Sequence, residues 1–467
     1  MDYDVIIIGA GMSGIAAGIR LAYYDYKVCI LEKHYLWGGL NSFYRLKGGY
    51  RFDVGLHAIT NYVAPTVRNA PLNKLFRQLR IEPEKFDLRE QNYSQIAFAD
   101  RVLTFTNDFS ALKADVADKF PNDSDGFLRL VDHINAYNEF DFEAEPISAR
   151  AVLEHYLKDP LLIDMIFCPL MYYGSARVDD MDYSQFVIMF KSIFQEGFSR
   201  PWRGVRQILE VLIAKYKQLG GVLRMKSGVR RLEVAGDRVR GIILENGEAL
   251  CADKILSCAG QVETLRLLSK YPATAATRVE PGQLTFTEAI IVLDRPAREL
   301  GFGATITFFN NRERFYYRPP SDGLVDVESG VICCPNNYKF GKPLAQELIR
   351  ITNIASYQGW NGLSGEAYYE AKRRCLDQSI MAIRPYVADL RPHTVFVDTF
   401  TPKTIEKFTG RINGAVYGTP HKARDGRTHL VNLFLCGTDQ GFLGVVGALL
   451  SGISMANLHV LQGVRSQ

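Results

Sequence analysis

The chain opens with Val5-Ile6-Ile7-Ile8, apolar on both faces of any strand it forms. That is the pattern of a strand covered on two sides within a parallel sheet. A glycine-rich break at 9–14 separates it from small and apolar residues at 15–24, which read as a helix. The segment 27–32 predicts a second strand, and a right-handed crossover sets the two strands parallel. After 205 the same rhythm returns, with a helix at 205–219 and strands at 222–225 and 229–234. Two further strands, 238–244 and 249–258, stand at hairpin spacing about the turn Glu245-Asn246-Gly247-Glu248. A last apolar strand at 431–436 precedes the apolar stretch 442–461. Those twenty residues have membrane-spanning length. Their glycines, Asn457, His459 and the buried strand before them instead predict a helix inside the protein.

The middle of the chain is patterned differently. Residues 71–202 alternate helical periodicity with acidic and aromatic segments, and show no clear strand pair before 95–106. The run 161–173 is strongly apolar, too short to cross a bilayer, and interrupted by Asp164 and Pro169. A core helix is predicted there, with a substrate wall or a membrane-dipping face as the alternative. The simplest parse is one nucleotide-binding domain in three pieces, 1–75, 205–285 and 405–467. A second domain, 76–204 and 286–404, is inserted twice. The fold class expected is α/β: a parallel sheet carrying a β-meander, plus a mixed α+β domain.

Composition narrows the function classes. With 55 Lys and Arg against 51 Asp and Glu in 467 residues, the net charge of +4 is too dilute for a nucleic-acid partner. Hydrophobic residues at 47% and charged residues at 23% fit a globular protein with a large core. The eight cysteines are scattered apart from Cys333-Cys334, and no Cys/His spacing suits a metal, so free buried thiols and no metal site are expected. The acidic start and short apolar run do not read as a secretory leader. A cytoplasmic location is expected.

The first break carries chemistry. Gly9-Ala10-Gly11-Met12-Ser13-Gly14 follows a strand and opens a helix, where each glycine has its own task. Gly9 permits the turn, Gly11 lets backbone N–H groups approach a pyrophosphate, and Gly14 lets helix and strand pack closely. The helix N-terminus adds partial positive charge. Glu32 ends the second strand 18 residues after Gly14, placed to accept hydrogen bonds from a ribose. Gly38-Gly39 offers further backbone donors to the same anion. These residues predict a dinucleotide site and leave NAD and FAD both open.

The run from Gly9 through Gly39 resembles the FAD signature of the flavin amine oxidase and phytoene desaturase superfamily. Residues 50–57 resemble the short Asp-x-Gly segment that follows it, here Asp53-Val54-Gly55. Pro201-Trp202-Arg203-Gly204-Val205 is similar to the stretch that begins the middle helix of those enzymes. Gly414-Ala415-Val416-Tyr417-Gly418 is similar to a late marker of the desaturase branch, and 433–448 resembles the C-terminal flavin motif. Within the superfamily the pattern is most similar to carotenoid desaturases and retinol saturase, although Leu40 stands where many members carry Arg.

The resemblance implies a Rossmann-like domain with FAD held non-covalently. Its contacts would be Gly9, Gly11, Met12, Ser13, Gly14, Glu32, Lys33, Gly38, Gly39, Leu40, Val229, Gly437, Asp439, Gly444, Val445 and Val446. It implies an oxidoreductase that desaturates or saturates a carbon–carbon bond of an apolar polyene isoprenoid. His57 is the candidate proton acceptor, followed by Tyr173 and Arg203, with Asp53 beside them. Electrons would pass to a quinone, oxygen or another external acceptor, and the substrate implies peripheral contact with the inner face of a membrane. Two rivals share the scaffold. One is an amine or porphyrinogen oxidase, the other a non-catalytic prenyl-binding chaperone of the Rab GDP-dissociation-inhibitor type. The intact Gly14, Glu32 and 437–447 run favour a cofactor.

Overall fold

The computed structural model describes residues 2–64, 66–141, 145–269 and 279–462. Val5 to Ile8 are buried on both faces, as their pattern requires, and strand Tyr3–Ile8 sits at the centre of a five-stranded parallel sheet. The sheet order is Leu433–Leu435, Ala252–Ser257, Tyr3–Ile8, Val28–Leu31, Val222–Arg224. Three distant stretches of chain therefore meet at one sheet. A meander of Val229–Ala235, Arg238–Leu244 and Ala249–Leu250 covers one face, packing Leu232, Ile242 and Leu244 against Ile6 and Ile255.

The segment 249–258 differs from the single hairpin strand expected. The turn forms, with Leu244 N donating to Glu248 O at 2.9 Å, yet only Ala249–Leu250 pairs back onto the meander. After Cys251 the chain changes sheets, and Ala252–Ser257 runs parallel to Tyr3–Ile8. Ile255 and Leu256 are both buried, on opposite faces, which a two-layer meander edge cannot provide and a central parallel strand can.

The first helix, Met12–Ala22, is almost wholly buried beneath the sheet. It packs against Val205–Gln218 and the C-terminal helix Gly444–Ala456. The latter crossing depends on Gly452, where an added Cβ would lie 2.0 Å from the Ser13 carbonyl oxygen. Gly452→Val is expected to lower stability by about 3 kcal/mol, read as a fall in the urea midpoint. The helical run Gly444–Leu461 is, among the described residues, the one long and apolar enough to span a membrane. Its Val445, Val446, Leu449, Ile453 and Met455 are instead taken up by the core under the parallel sheet.

A second sheet of seven strands forms the other half: Thr394–Phe400, Thr285–Leu293, Glu347–Ala355, Ser329–Cys333, Ile306–Asn310, Ser94–Phe98, Arg101–Phe105. All pairs are antiparallel except Ile306–Asn310 with Ser94–Phe98. One face packs on aromatic helices, the other on Gly365–Ala382 through Ile380. The apolar run at 161–173 lies within helix Pro160–Gly174, capped by Asp159 and buried through most of its length. Its interrupting Asp164 accepts from Arg150 at 2.9 Å and Arg314 at 2.7 Å. The polar residue thus fits an apolar helix because two guanidinium groups answer its charge.

Candidate functional site

A cleft of about 420 Å³ lies between the C-terminal ends of the parallel strands and one face of the seven-stranded sheet. Ligand crevices of open α/β sheets form at such strand ends. The glycine turn makes one end of it. Gly9 adopts φ +101°, a conformation that favours glycine. At Gly14 an added Cβ would lie 2.1 Å from the Gly9 carbonyl oxygen, so this glycine is required for packing. At Gly11 an added Cβ meets nothing within 4 Å, because that position faces the open cleft.

Gly38, at φ +106°, donates its N–H to Ala10 O at 2.8 Å and draws the second glycine loop against the first. Glu32 ties the turn to the strand end: Ala10 N donates to Oε2 at 2.7 Å and His34 N to Oε1 at 2.8 Å. Each carboxylate oxygen keeps a further lone pair for a hydroxyl in the cleft. Helices Met12–Ala22 and Gly444–Ala456 both begin at the cleft, and neither has a side-chain cap. Their first-turn N–H groups and dipoles suit an anionic group. These features fit the pyrophosphate and ribose of a dinucleotide.

Of the residues offered by the sequence, Gly9, Gly11, Met12, Ser13, Glu32, Lys33, Gly38, Gly39, Leu40, Val229, Gly437, Gly444 and Val445 line the cleft, as do His57 and Tyr173. Lys33 sits at its rim, paired with Glu245 at 3.1 Å. Gly14, Val446, Asp439 and Arg203 do not line it. Asp439 is buried, and its carboxylate accepts from Arg411 at 2.8 Å and from the N–H groups of Gln261 and Thr419 at 2.7 Å. Burial pushes that carboxyl up, but Arg411 and Lys422 outweigh it and hold it at about 2. Asp439 is thus engaged in binding Arg411, which does line the cleft.

The other end is built on the large sheet. Tyr172, Tyr173, Phe286, Val331, Val416, Tyr417 and Phe442 give it an aromatic and apolar wall. The Tyr173 hydroxyl is buried with no hydrogen-bond partner, and its ring stacks on Phe198 at 5.3 Å. A polar cluster interrupts this wall. His57 Nε2 lies 3.3 Å from Glu288 Oε1 and 3.2 Å from Thr352 Oγ1. Glu288 and Thr352 face each other across paired strands, and Arg350 stands two residues from Thr352 on the same face. Arg350 forms an ion pair with Glu288 and donates to Leu56 O at 2.9 Å and Val54 O at 2.7 Å. Arg200 donates to Leu56 O at 2.6 Å and Tyr338 to His57 O at 3.0 Å, so the loop carrying His57 is held from three sides.

Burial pulls the His57 imidazole below its ordinary value, against the pull of Glu288. Burial pushes the Glu288 carboxyl up, but Arg350 and His57 more than offset this and keep it low. The pair is therefore a neutral imidazole beside a carboxylate. A carboxylate only accepts, so Nε2 carries the proton and Nδ1 is the basic atom of the ring. Sequence reasoning did not find Glu288, Thr352 or Arg350. The signal was present: Glu288 is the one charged residue in Thr285–Leu293, a strand buried along its whole length.

Residues 12–458 match the family described as flavin containing amine oxidoreductase. Prolycopene isomerase 2 of an Oncidium hybrid cultivar is 21% identical, covering 98% of this chain and 83% of its own. Phytoene desaturase of Neurospora crassa is 27% identical over 56% of this chain and 49% of its own. Among solved structures, putrescine oxidase bound to putrescine has a TM-score of 0.63 at 15% identity and covers 100% of both chains.

Proposed function

The chain belongs to the family of flavin-containing amine oxidoreductases and is an FAD-dependent oxidoreductase, and from that premise we propose that it desaturates or saturates a carbon–carbon bond of an apolar polyene isoprenoid. The observation that carries this reading is the aromatic, apolar wall, whose carboxylate, Glu288, is already engaged by Arg350 and His57. A cationic amine would find no free counter-charge there, whereas a polyene needs only apolar surface and shape. The name of the phytoene desaturase relative supports that reaction, and that of the prolycopene isomerase supports the polyene class of substrate alone.

The glycine turn, Glu32, the 38–39 loop and the two helix N-termini would hold FAD non-covalently. Bound FAD takes or gives hydride. The chain's own task is to position the polyene, exclude water and manage one proton. His57 takes or returns that proton at Nδ1, and Glu288 stabilises the imidazolium that forms. In the desaturating direction the electron acceptor is a quinone, oxygen or another external partner, in the saturating direction an external reductant reloads the flavin, and peripheral contact with a membrane supplies the substrate.

Anaerobic mixing of FAD-loaded protein with a phytoene-type polyene, and separately with putrescine, tests the assignment. Bleaching of the oxidised flavin band by the polyene alone is expected for desaturation, and return of that band when the polyene meets dithionite-reduced flavin for saturation; bleaching by the amine alone would overturn the reading. His57→Gln should retain flavin and lower turnover by about 10²- to 10⁴-fold. The folded imidazole titrates below its ordinary value, so the neutral base persists as pH falls through about 6.5. Turnover should hold steady from neutral pH to that point and decline only in more acidic buffer. A decline centred above about pH 7 would remove His57 as the proton acceptor.

A further inference from the structure

Arg203 faces a second pocket, of about 490 Å³, beneath the ribbon Phe43–Arg45/Arg51–Asp53 and at the start of helix Val205–Gln218. Arg51, Arg200, Arg203, Arg206 and Arg350 line it, against one carboxylate, Asp53. Two of these charges are answered internally, Arg200 by Asp53 and Arg350 by Glu288. Glu210, one turn into the helix, is 2.7 Å from Arg203 and 3.8 Å from Arg206, so one carboxylate serves two guanidinium groups. Arg51 has no ion-pair partner among the described residues, and it lies directly opposite Arg45 across the ribbon. Like charges opposed in this way are destabilising unless something else answers them.

Arg206 shows the same imbalance. Its Nε is buried and has no hydrogen-bond partner. Burial, then Arg203, Arg51 and Arg45, press its guanidinium below the ordinary value, with Glu210 opposing them. The chain has thus gathered more positive charge than its own carboxylates balance, in a cavity that part of this charge lines. We propose that this pocket binds a phosphate-type anion, a phosphomonoester or diphosphate group, between Arg51, Arg203 and Arg206. Guanidinium forks match phosphate oxygens two at a time, and a doubly charged group answers the surplus better than a carboxylate. The Arg350–Glu288 pair separates this site from the cleft, lining one with Arg350 and the other with Glu288.

Calorimetric titration of the FAD-loaded protein with inorganic pyrophosphate tests the site while the nucleotide cleft is filled. Saturable binding that weakens with salt is expected, and Arg51→Gln should weaken it by roughly tenfold or more. Without anion, Arg51→Gln should melt no lower than the parent, because it relieves repulsion; this separates lost binding from lost folding. Flotation with vesicles of phosphatidic acid in phosphatidylcholine identifies the source. Arg51-dependent flotation, competed by pyrophosphate, supports the site with a lipid headgroup as ligand. Pyrophosphate binding without flotation supports the site with a soluble phosphorylated ligand. Absence of both, or binding untouched by Arg51→Gln, would overturn the proposal.

Discussion

Gly11→Val is expected to yield a folded protein without flavin. Gly11 has φ −72° and ψ 175°, extended backbone that any residue adopts, and its Cβ would meet nothing within 4 Å. The valine therefore costs the folded chain little, within about 0.5 kcal/mol. Its methyl groups project into the cleft beside two uncapped helix N-termini, where the pyrophosphate would lie. Absorbance of the purified variant near the flavin band should fall to background, with no recovery on adding FAD. Its melting temperature should match that of the flavin-stripped parent, since loss of ligand alone lowers apparent stability. Gly14→Val makes the contrast. Its Cβ would lie 2.1 Å from Gly9 O and 3.1 Å from Cys258 Sγ, so it should fail to accumulate as folded protein. Full flavin in Gly11→Val would sink the placement of the cofactor.

Glu288→Gln should cost about 3 kcal/mol of stability while also impairing turnover. Arg350 is buried, with its side chain 2% exposed, and Glu288 is the carboxylate paired with it. Removing one partner of a buried ion pair leaves the other charge unanswered, a loss of about 3–5 kcal/mol; the amide oxygen, which still accepts, places this variant at the lower end. Arg350→Met should also destabilise, because the Val54 carbonyl loses the Arg350 donor and Leu56 O keeps Arg200 alone, loosening the His57 loop. The double variant should lose less than the sum of the two singles, since each single strands the same partner. Urea unfolding of the four proteins measures this coupling. Strict additivity would show that the pair is not energetically linked. In Glu288→Gln the imidazole also loses the charge that raises its proton affinity, so its titration should move further down.

What could be read from the sequence were the features set by neighbours along the chain. The strand at Val5 to Ile8, the glycine turn, the acid at Glu32 and the apolar C-terminal helix each rest on local pattern, and each is found in the structure. The meander was legible through its turn, but the change of sheet at Cys251 was not. Whether Ile255 and Leu256 cover a meander or stand inside a parallel sheet depends on two strands far away in sequence, Tyr3–Ile8 and Leu433–Leu435. Arg203 shows the converse: its motif is recognisable, while the direction it faces is decided by how helix Val205–Gln218 meets the ribbon at Asp53.

By itself, then, the sequence determined the glycine-turn end of the cleft, because one strand–turn–helix–strand unit supplies the glycine turn and Glu32 and its geometry is short-range. Only the tertiary structure decided the chemistry of the other end. His57, Glu288, Arg350 and Thr352 come from a loop and two strands separated by up to 295 residues, and what they do depends on contact and burial. A histidine alone in the sequence has no fixed proton affinity; a carboxylate at 3.3 Å, a guanidinium behind it and an apolar wall give it one.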